Sequence, residues 1–171
     1  MTVPPVPDPD LRACTGALLR VGAEFVVIGG FAVIANDYVR ATEVVDLLVP
    51  DDPSNDGLLV EALVTLDAVV YETGRPPESS VLRDREHVRL TSPAGLLDLL
   101  REGVAPLDFV TVSAGALTAD LGDGPFRVAG LESLVAFKRL ADRPRDRLDL
   151  LELEERHGPL PIVPVPGLED R

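Results

Sequence analysis

The sequence is poor in cysteine, with Cys14 as the only one among 171 residues. No disulfide can form within the chain, and so little cysteine is typical of a reducing compartment, so we expect a cytoplasmic protein. The N-terminal segment "MTVPPVPDPD" lacks the basic start and the apolar stretch of a secretory signal. The sequence also lacks an apolar run of about 20 residues, the length that spans a bilayer, which predicts that the protein does not cross membranes.

Positive charge is scarce as well, because 16 Lys and Arg residues face 29 acids and leave a net charge of −13. Broad electrostatic binding of nucleic acid needs clustered basic side chains that displace counterions. We therefore expect no strong nonspecific nucleic-acid binding. Lysine is almost absent, and the single Lys138 is for that reason a candidate functional residue.

The composition favours one folded domain, since hydrophobic residues make up 46% of the chain and can fill a core. Proline is concentrated at both ends, where it prevents regular helix or sheet pairing. We therefore expect an extended N-terminal arm at residues 1–8 and an extended tail at residues 159–171. Between them we expect a core at 9–128 and a C-terminal helical hairpin at 129–158.

Hydrophobic spacing predicts helices mixed with strands. Helices are predicted at 8–22, 31–39 and 54–67, and a pair broken near Pro144 at 131–158. Strands are predicted at 24–30, 42–50, 68–73, 86–93, 116–121 and 126–130. Segment 74–84 is predicted to be a loop, Ser54 or Asn55 to cap the third helix, and segment 95–102 to be a strand or a helix start. This order is typical of an α+β (mixed α/β) fold with a C-terminal helical hairpin.

Gly29 and Gly30 stand between a predicted buried strand and a predicted helix. A helix N-terminus leaves backbone N–H groups unpaired and carries partial positive charge, so it favours phosphate. Glycine at that point lets a ligand approach the backbone closely. The same pattern also fits a tight turn with no ligand, and the residues alone leave both interpretations open.

Asp46 lies inside the apolar segment "TEVVDLLVP". An ionised carboxylate is costly to bury unless it is paired or bound to a metal. Asp46 is therefore a candidate functional residue, although capping a helix or pairing with an arginine would also satisfy it.

Segment 26–49, "VVIGGFAVIANDYVRATEVVDLLV", resembles the active-site segment of the nucleotidyltransferase superfamily related to DNA polymerase β. It is most similar to the small bacterial group that includes AbiEii-type and MenT-type toxins. That group has two glycines or Gly-Ser, a helix, Arg-x-Thr, and then Asp-x-Asp on the second strand. The matching positions are Gly29, Gly30, Arg40, Thr42 and Asp46.

The C-terminal helices are similar to the same group, and the resemblance spans residues 23–156. A lysine on one helix, an arginine at the break and aspartates on the next helix recur there. Lys138, Arg143, Asp146 and Asp149 occupy those positions.

Val44 is the departure from this pattern, because the family has its first aspartate there. Strand side chains alternate between faces, so Val44 and Asp46 share a face and Glu43 points away. Glu43 could substitute only if the strand bulged by one residue. The family's third acid lies on a later strand, and Asp98 matches it if segment 95–102 is a strand.

The resemblance implies a mixed sheet flanked by helices that binds a nucleoside triphosphate with Mg²⁺ and transfers a nucleotide to a hydroxyl acceptor. The acceptor is an RNA end, a protein or a small molecule. In that reading Asp46 and Asp98 are the catalytic acids and the metal ligands. Gly29, Gly30, Arg40, Thr42 and Lys138 are the nucleotide-binding residues.

Val44 implies a degraded metal site that is weakest for the second ion, since the missing aspartate bridges both ions in the family. The alternative is a non-catalytic relative, a pseudoenzyme that binds a nucleotide or a protein partner, or one component of a toxin–antitoxin pair.

Several side chains also fit simpler roles. Arg40 could pair with an acid instead of a phosphate, and Lys138 could be a surface lysine. Asp146 and Asp149 fit a solvated helix face or partners for nearby arginines such as Arg143 and Arg147. His87 and His157 are expected at the surface and Cys14 in the core.

Overall fold

The computed structural model describes residues 5–168, so residues 1–4 of the predicted arm and 169–171 of the predicted tail lie outside it. A seven-stranded mixed sheet has the strand order β3-β4-β5-β2-β1-β7-β6. Its strands are β1 Val26–Ile28, β2 Val44–Val49, β3 Val69–Val70, β4 His87–Ser92, β5 Gly95–Arg101, β6 Leu117–Asp120 and β7 Pro125–Val128. Helices flank the sheet: α1 Leu11–Val21, α2 Gly29–Ala35, α3 Pro53–Thr65, α4 Ser79–Arg83, α5 Phe109–Ala114, α6 Leu131–Ala141 and α7 Pro144–His157. The predicted α+β class is confirmed.

The centre of the sheet places the two candidate acids side by side. Strand β2 pairs antiparallel with β1 and parallel with β5, in a register that sets Asp46 opposite Asp98. Segment 95–102 is thus a strand, which resolves the alternative that the sequence left open. The β2–β5 ladder runs without interruption from Val44 to Val49, so no bulge in that pairing turns the exposed Glu43 toward the face of Asp46.

Helix α2 begins and ends earlier than the predicted 31–39. It includes Gly29 and Gly30 in its first turn and ends at Ala35. Asn36 then stops the helix, because its buried side-chain amide donates to the carbonyls of Ala32 at 2.8 Å and Ala129 at 2.9 Å. The predicted continuation to residue 39 is wrong, since Asp37 has φ = 76°, outside the helical range, and the Asn36 amide ties the end of the helix to the chain after β7.

The predicted cap of α3 is also wrong. Asp52 caps the helix by accepting from the backbone N–H of Ser54 at 2.9 Å, and Pro53 occupies the first turn. Asn55 is buried and exchanges two hydrogen bonds with the backbone of Glu24, at 2.7 and 3.0 Å. Its side chain therefore anchors the chain before β1 to α3.

Two short helices are absent from the sequence prediction. Helix α4 lies in the segment predicted as a loop, and α5 follows β5, with Asp108 accepting from the N–H of Thr111 at 3.1 Å. Elements this short carry too little hydrophobic periodicity to be recognised. None of the helices within residues 5–168 combines the length and the hydrophobicity that a transmembrane segment needs.

The C-terminal helical hairpin is present as predicted. Helix α6 packs against α2 and α7. Pro144 occupies the first turn of α7, Asp146 accepts from the backbone N–H of Arg143 at 3.1 Å, and Gly158 follows the last turn. Cys14 lies in the core as predicted, where burial raises the pKa of its thiol to about 12.

Candidate functional site

A cleft of about 390 Å³ lies between the open face of the central strands and helix α6. Its polar walls come from β2, β4, β5, α6 and the start of α7. They comprise Asp46, Asp98, Asp146, His87, Arg89, Lys138 and Arg143. The remaining wall is largely apolar and includes Leu134 and Phe137 of α6 and Leu100 of β5. Acids and bases thus converge on one cavity from segments that are distant in the sequence.

Within residues 5–168, Asp46 is the one acid of this cleft that forms no hydrogen bond or ion pair. Burial, and after it the charge of the neighbouring Asp98, raises the pKa of its carboxyl to about 6. Lys138, Arg143 and Arg89 act in the opposite direction, but they do not offset the loss of water. Near neutral pH, Asp46 is a partly desolvated carboxylate that a cation can stabilise.

Asp98 lies beside Asp46 but already has a partner. Arg89 donates to both Asp98 oxygens, from Nε at 2.8 Å and from Nη2 at 2.8 Å. His87 places its Nε2 atom 3.3 Å from the same carboxylate. Parallel guanidinium–carboxylate bonds of this kind are among the strongest polar contacts in proteins. Asp98 is therefore held by a cation that the chain itself supplies.

The two glycines make room for side chains of the neighbouring segment. Gly29 has φ = 66°, and a Cβ built there would lie 2.7 Å from Cγ of Asp46. A Cβ at Gly30 would lie 2.8 Å from Cβ of Thr42. Helix α2 has only two turns, and it begins at Gly29 itself. Close approach of the backbone to Asp46 and Thr42 is thus a direct reason for this glycine pair.

Gly29→Ala will lower the free energy of unfolding by at least about 2 kcal/mol, because left-handed backbone disfavours any side chain and the new methyl overlaps Asp46. The matched control is Gly57→Ala, inside α3, where an added Cβ meets no heavy atom within 4 Å. The control should gain about 0.5–1 kcal/mol. Urea denaturation measures both variants, and a stability change of the same sign in both would contradict this role of Gly29.

Lys138 is buried, with 5% of its surface exposed, and forms two ion pairs with α7. Its Nζ atom lies 2.9 Å from Oδ1 of Asp146 and 2.8 Å from Oδ2 of Asp149. Arg143 also binds Asp146, and the pKa of that carboxyl is held below its usual range despite the opposing effect of burial. The surface interpretation of Lys138 and the solvated-face interpretation of Asp146 and Asp149 are therefore wrong.

Arg40 and Thr42 have partners within the chain. Arg40 donates to both oxygens of Asp149, at 2.7 and 2.8 Å, as the ion-pair interpretation predicted. The Thr42 hydroxyl donates to the Val44 carbonyl at 3.2 Å. Neither side chain is among the residues that line the cleft in the described part of the chain. Their nucleotide-binding role, like that of Lys138, Gly29 and Gly30, remains a prediction.

The described residues fit one divalent ion better than two. They contain no group of three or more His, Cys, Asp or Glu side chains arranged to hold a metal. Val44 occupies the position beside Asp46 on the same face, opposite Leu96 of β5, so no second carboxylate stands there. Mg²⁺ commonly binds one or two protein carboxylates, with phosphate oxygens and water as its other ligands. Asp46 together with a triphosphate meets that requirement.

Arg89 is a functional candidate that the sequence analysis missed, and His87 was predicted as a surface residue only. His87 is half exposed, yet it also lines the cleft. The alternating pattern of "EHVRLTSP" puts both on one face of β4. Pairing β4 with β5 across their short turn places Arg89 opposite Asp98. The hairpin register would have revealed this pair.

No model of a known protein family matches the sequence, and no curated protein is detectably similar to it. Solved structures do share its fold. The crystal structure of ANT(2'')-Ia in complex with adenylyl-2''-tobramycin matches with a TM-score of 0.56 and 16% identity, over 84% of each chain. An antigenic nucleotidyltransferase-like protein from Paracoccidioides brasiliensis matches with a TM-score of 0.52 and 16% identity, over 88% of this chain and 78% of that one. The chain thus shares the mixed α+β, nucleotidyltransferase-like fold of these structures.

Proposed function

We propose that the cleft binds a nucleoside triphosphate with one Mg²⁺ ion and that the protein transfers the nucleotide slowly to a hydroxyl acceptor. The observation that carries this proposal is the Asp46 carboxylate, which faces the cleft beside Gly29 and accepts no hydrogen bond from residues 5–168. An ion held by Asp46 would neutralise phosphate charge next to the helix that begins at Gly29. The resemblance to the AbiEii/MenT group and the shared fold support the same assignment.

The basic residues of the cleft support a phosphate ligand. Arg143 is mostly exposed, with 72% of its side chain accessible, and it lines the cleft while it pairs with Asp146. Arg89 keeps 41% of its side chain accessible. Guanidinium groups have more donors than one carboxylate uses, so both arginines can still donate to phosphate oxygens. The apolar wall formed by Leu134 and Phe137 offers a surface for the less polar part of the ligand.

Val44 predicts slow turnover. The loss of one preorganised charge-stabilising group typically reduces the rate on the order of 10²–10³-fold. Val44 lies on the same face as Asp46, so Val44→Asp would restore a carboxylate pair on unbroken strand geometry.

Calorimetric titration of each of the four NTPs with Mg²⁺ into the protein and into Val44→Asp tests the proposal. We expect saturable heat for at least one NTP in the unaltered chain and tighter binding in Val44→Asp. A transfer screen with labelled NTP should then give faster labelling in Val44→Asp. RNA ends, proteins and hydroxylated small molecules would serve as acceptors. No heat from any NTP in either protein would contradict the proposal.

A non-catalytic relative is the second candidate, and the Arg89–Asp98 pair together with Val44 favours it. This candidate predicts NTP binding without labelled product in the unaltered chain. A role in a toxin–antitoxin pair would add a protein partner, which co-purification with the product of a neighbouring gene would test. Detectable transfer by the unaltered chain would exclude the non-catalytic alternative.

A further inference from the structure

Arg89 holds Asp98 in the place where the resemblance leads one to expect a metal ligand. The guanidinium reaches both carboxylate oxygens at 2.8 Å, and Asp98 keeps only 11% of its side chain accessible. Both partners are fixed by the sheet, because Arg89 and Asp98 are register partners in the antiparallel β4–β5 pair. The contact is thus built into the strand pairing and does not depend on a mobile loop.

A divalent ion at Asp98 would have to displace this guanidinium. The displaced Arg89 would remain tethered opposite Asp98 by the β-ladder, so its positive charge would stay close to the incoming ion. The Nε2 atom of His87 lies 3.3 Å from Oδ2 of Asp98, so the histidine ring also limits access to this carboxylate. Asp46, the neighbouring acid, has no such partner among the residues that the structure describes. The two acids of the cleft therefore differ in what they can bind.

We propose that Arg89 acts as a built-in cation at Asp98 and takes the place of a second divalent ion, so that the cleft holds at most one ion, at Asp46. Val44 and Arg89 then have the same effect on metal binding. Val44 stands where the family has a metal-binding aspartate, and Arg89 neutralises the remaining candidate ligand Asp98. The exclusion of a divalent ion from Asp98 follows from the Arg89–Asp98 ion pair alone. Only its consequence, a nucleotide complex with a single ion, rests on the proposed function.

Titration with Mn²⁺, followed by electron paramagnetic resonance of the free ion, tests this assignment without any nucleotide. The variants are Arg89→Gln and the double variant Arg89→Gln/Asp98→Asn, which removes both charges of the pair together. We expect Arg89→Gln to bind Mn²⁺ about 10- to 100-fold more tightly than the unaltered chain, the range by which partners of metal ligands change metal affinity. The double variant should return to the affinity of the unaltered chain.

Arg85→Gln is the matched control, since Arg85 forms an exposed ion pair with Glu72 and is not a residue of this cleft. It should leave Mn²⁺ affinity unchanged. Equal affinity of Arg89→Gln and the unaltered chain would overturn the assignment. So would weaker binding by the double variant than by the unaltered chain, because Asp98 would then already be a ligand. The comparison of the double variant with the unaltered chain tests whether Asp98 binds metal even if Arg89→Gln alone does not fold.

The calorimetric NTP titration separates this inference from the proposed function. If no NTP binds but Arg89→Gln gains a Mn²⁺ site that the double variant loses, the proposed function fails and the role of Arg89 stands. If NTP binds with Mg²⁺ but Arg89→Gln gains no Mn²⁺ affinity, the role of Arg89 fails and the nucleotide site stands.

Discussion

Lys138→Met will lower the free energy of unfolding by about 3–5 kcal/mol, the effect of removing one partner from a buried ion pair. The ammonium group is buried between Asp146 and Asp149, each of which is 1% exposed. Methionine preserves much of the side-chain volume but leaves two buried carboxylates without their shared cation. Arg143 still contacts Asp146 and Arg40 still contacts Asp149, so the hairpin is weakened without losing every ion pair.

The matched control is Arg85→Met, which removes one half of the exposed Arg85–Glu72 pair. Exposed pairs contribute about 0–1 kcal/mol, so the control should change stability little. Urea denaturation at neutral pH measures both variants. If Lys138→Met were no less stable than Arg85→Met, Lys138 would not hold α6 to α7.

Asp46→Asn will raise the free energy of unfolding at pH 7 and abolish Mg²⁺-dependent nucleotide binding. The carboxyl has a pKa of about 6 in the folded protein against an ordinary value of 3.8, because burial disfavours the charged form. A difference of that size corresponds to about 3 kcal/mol of destabilisation when the group is charged. Asparagine removes the charge, and with it both this destabilisation and the metal ligand.

The pH dependence of this gain follows from the raised pKa. Between pH 3.8 and about 6 the folded protein binds the Asp46 proton more tightly than the unfolded chain, so the contribution of Asp46 to stability falls as pH rises through that range. The advantage of Asp46→Asn should therefore be absent near pH 3.8 and complete above about pH 6.

The control is Glu61→Gln, which replaces an exposed acid on α3. It should leave the free energy of unfolding unchanged both at pH 7 and near pH 3.8. Denaturant titrations at the two pH values compare the three proteins. A loss of stability in Asp46→Asn at pH 7 would show that the charged carboxylate is paired within the protein, contrary to the account given above.

The sequence predicts the strands and side-chain faces of the site better than it predicts the contacts between its side chains. Alternation in "TEVVDLLVP" correctly places Val44 and Asp46 on one face and Glu43 off it, because strand geometry has a strict period of two. The strand at 95–102 could not be distinguished from a helix start, since the four leucines of "GLLDLLRE" fit a buried strand and a helix alike. This segment is a strand because it pairs with β2 and β4, and strand pairing depends on residues distant in the sequence.

The partners of the charged residues depend on tertiary contacts. Arg40 meets Asp149 more than a hundred positions later in the chain, and no local pattern indicates that contact. Lys138 and Asp146 are only eight positions apart, but the turn between α6 and α7 brings them together. Arg89 was overlooked because an arginine on a half-exposed strand is ordinary until its opposite residue is known.

Nuclear magnetic resonance with Mn²⁺ tests the central claim most directly, namely that a metal-bound triphosphate occupies the cleft at Asp46. Isotopically labelled protein would be mixed with substoichiometric Mn²⁺, with and without a non-hydrolysable NTP analogue. We predict nucleotide-dependent broadening of the amide signals of Gly29, Gly30 and Asp46, while the edge strand β6 stays sharp. Broadening centred elsewhere, or signals at Gly29 and Asp46 that do not respond to the nucleotide, would contradict the account.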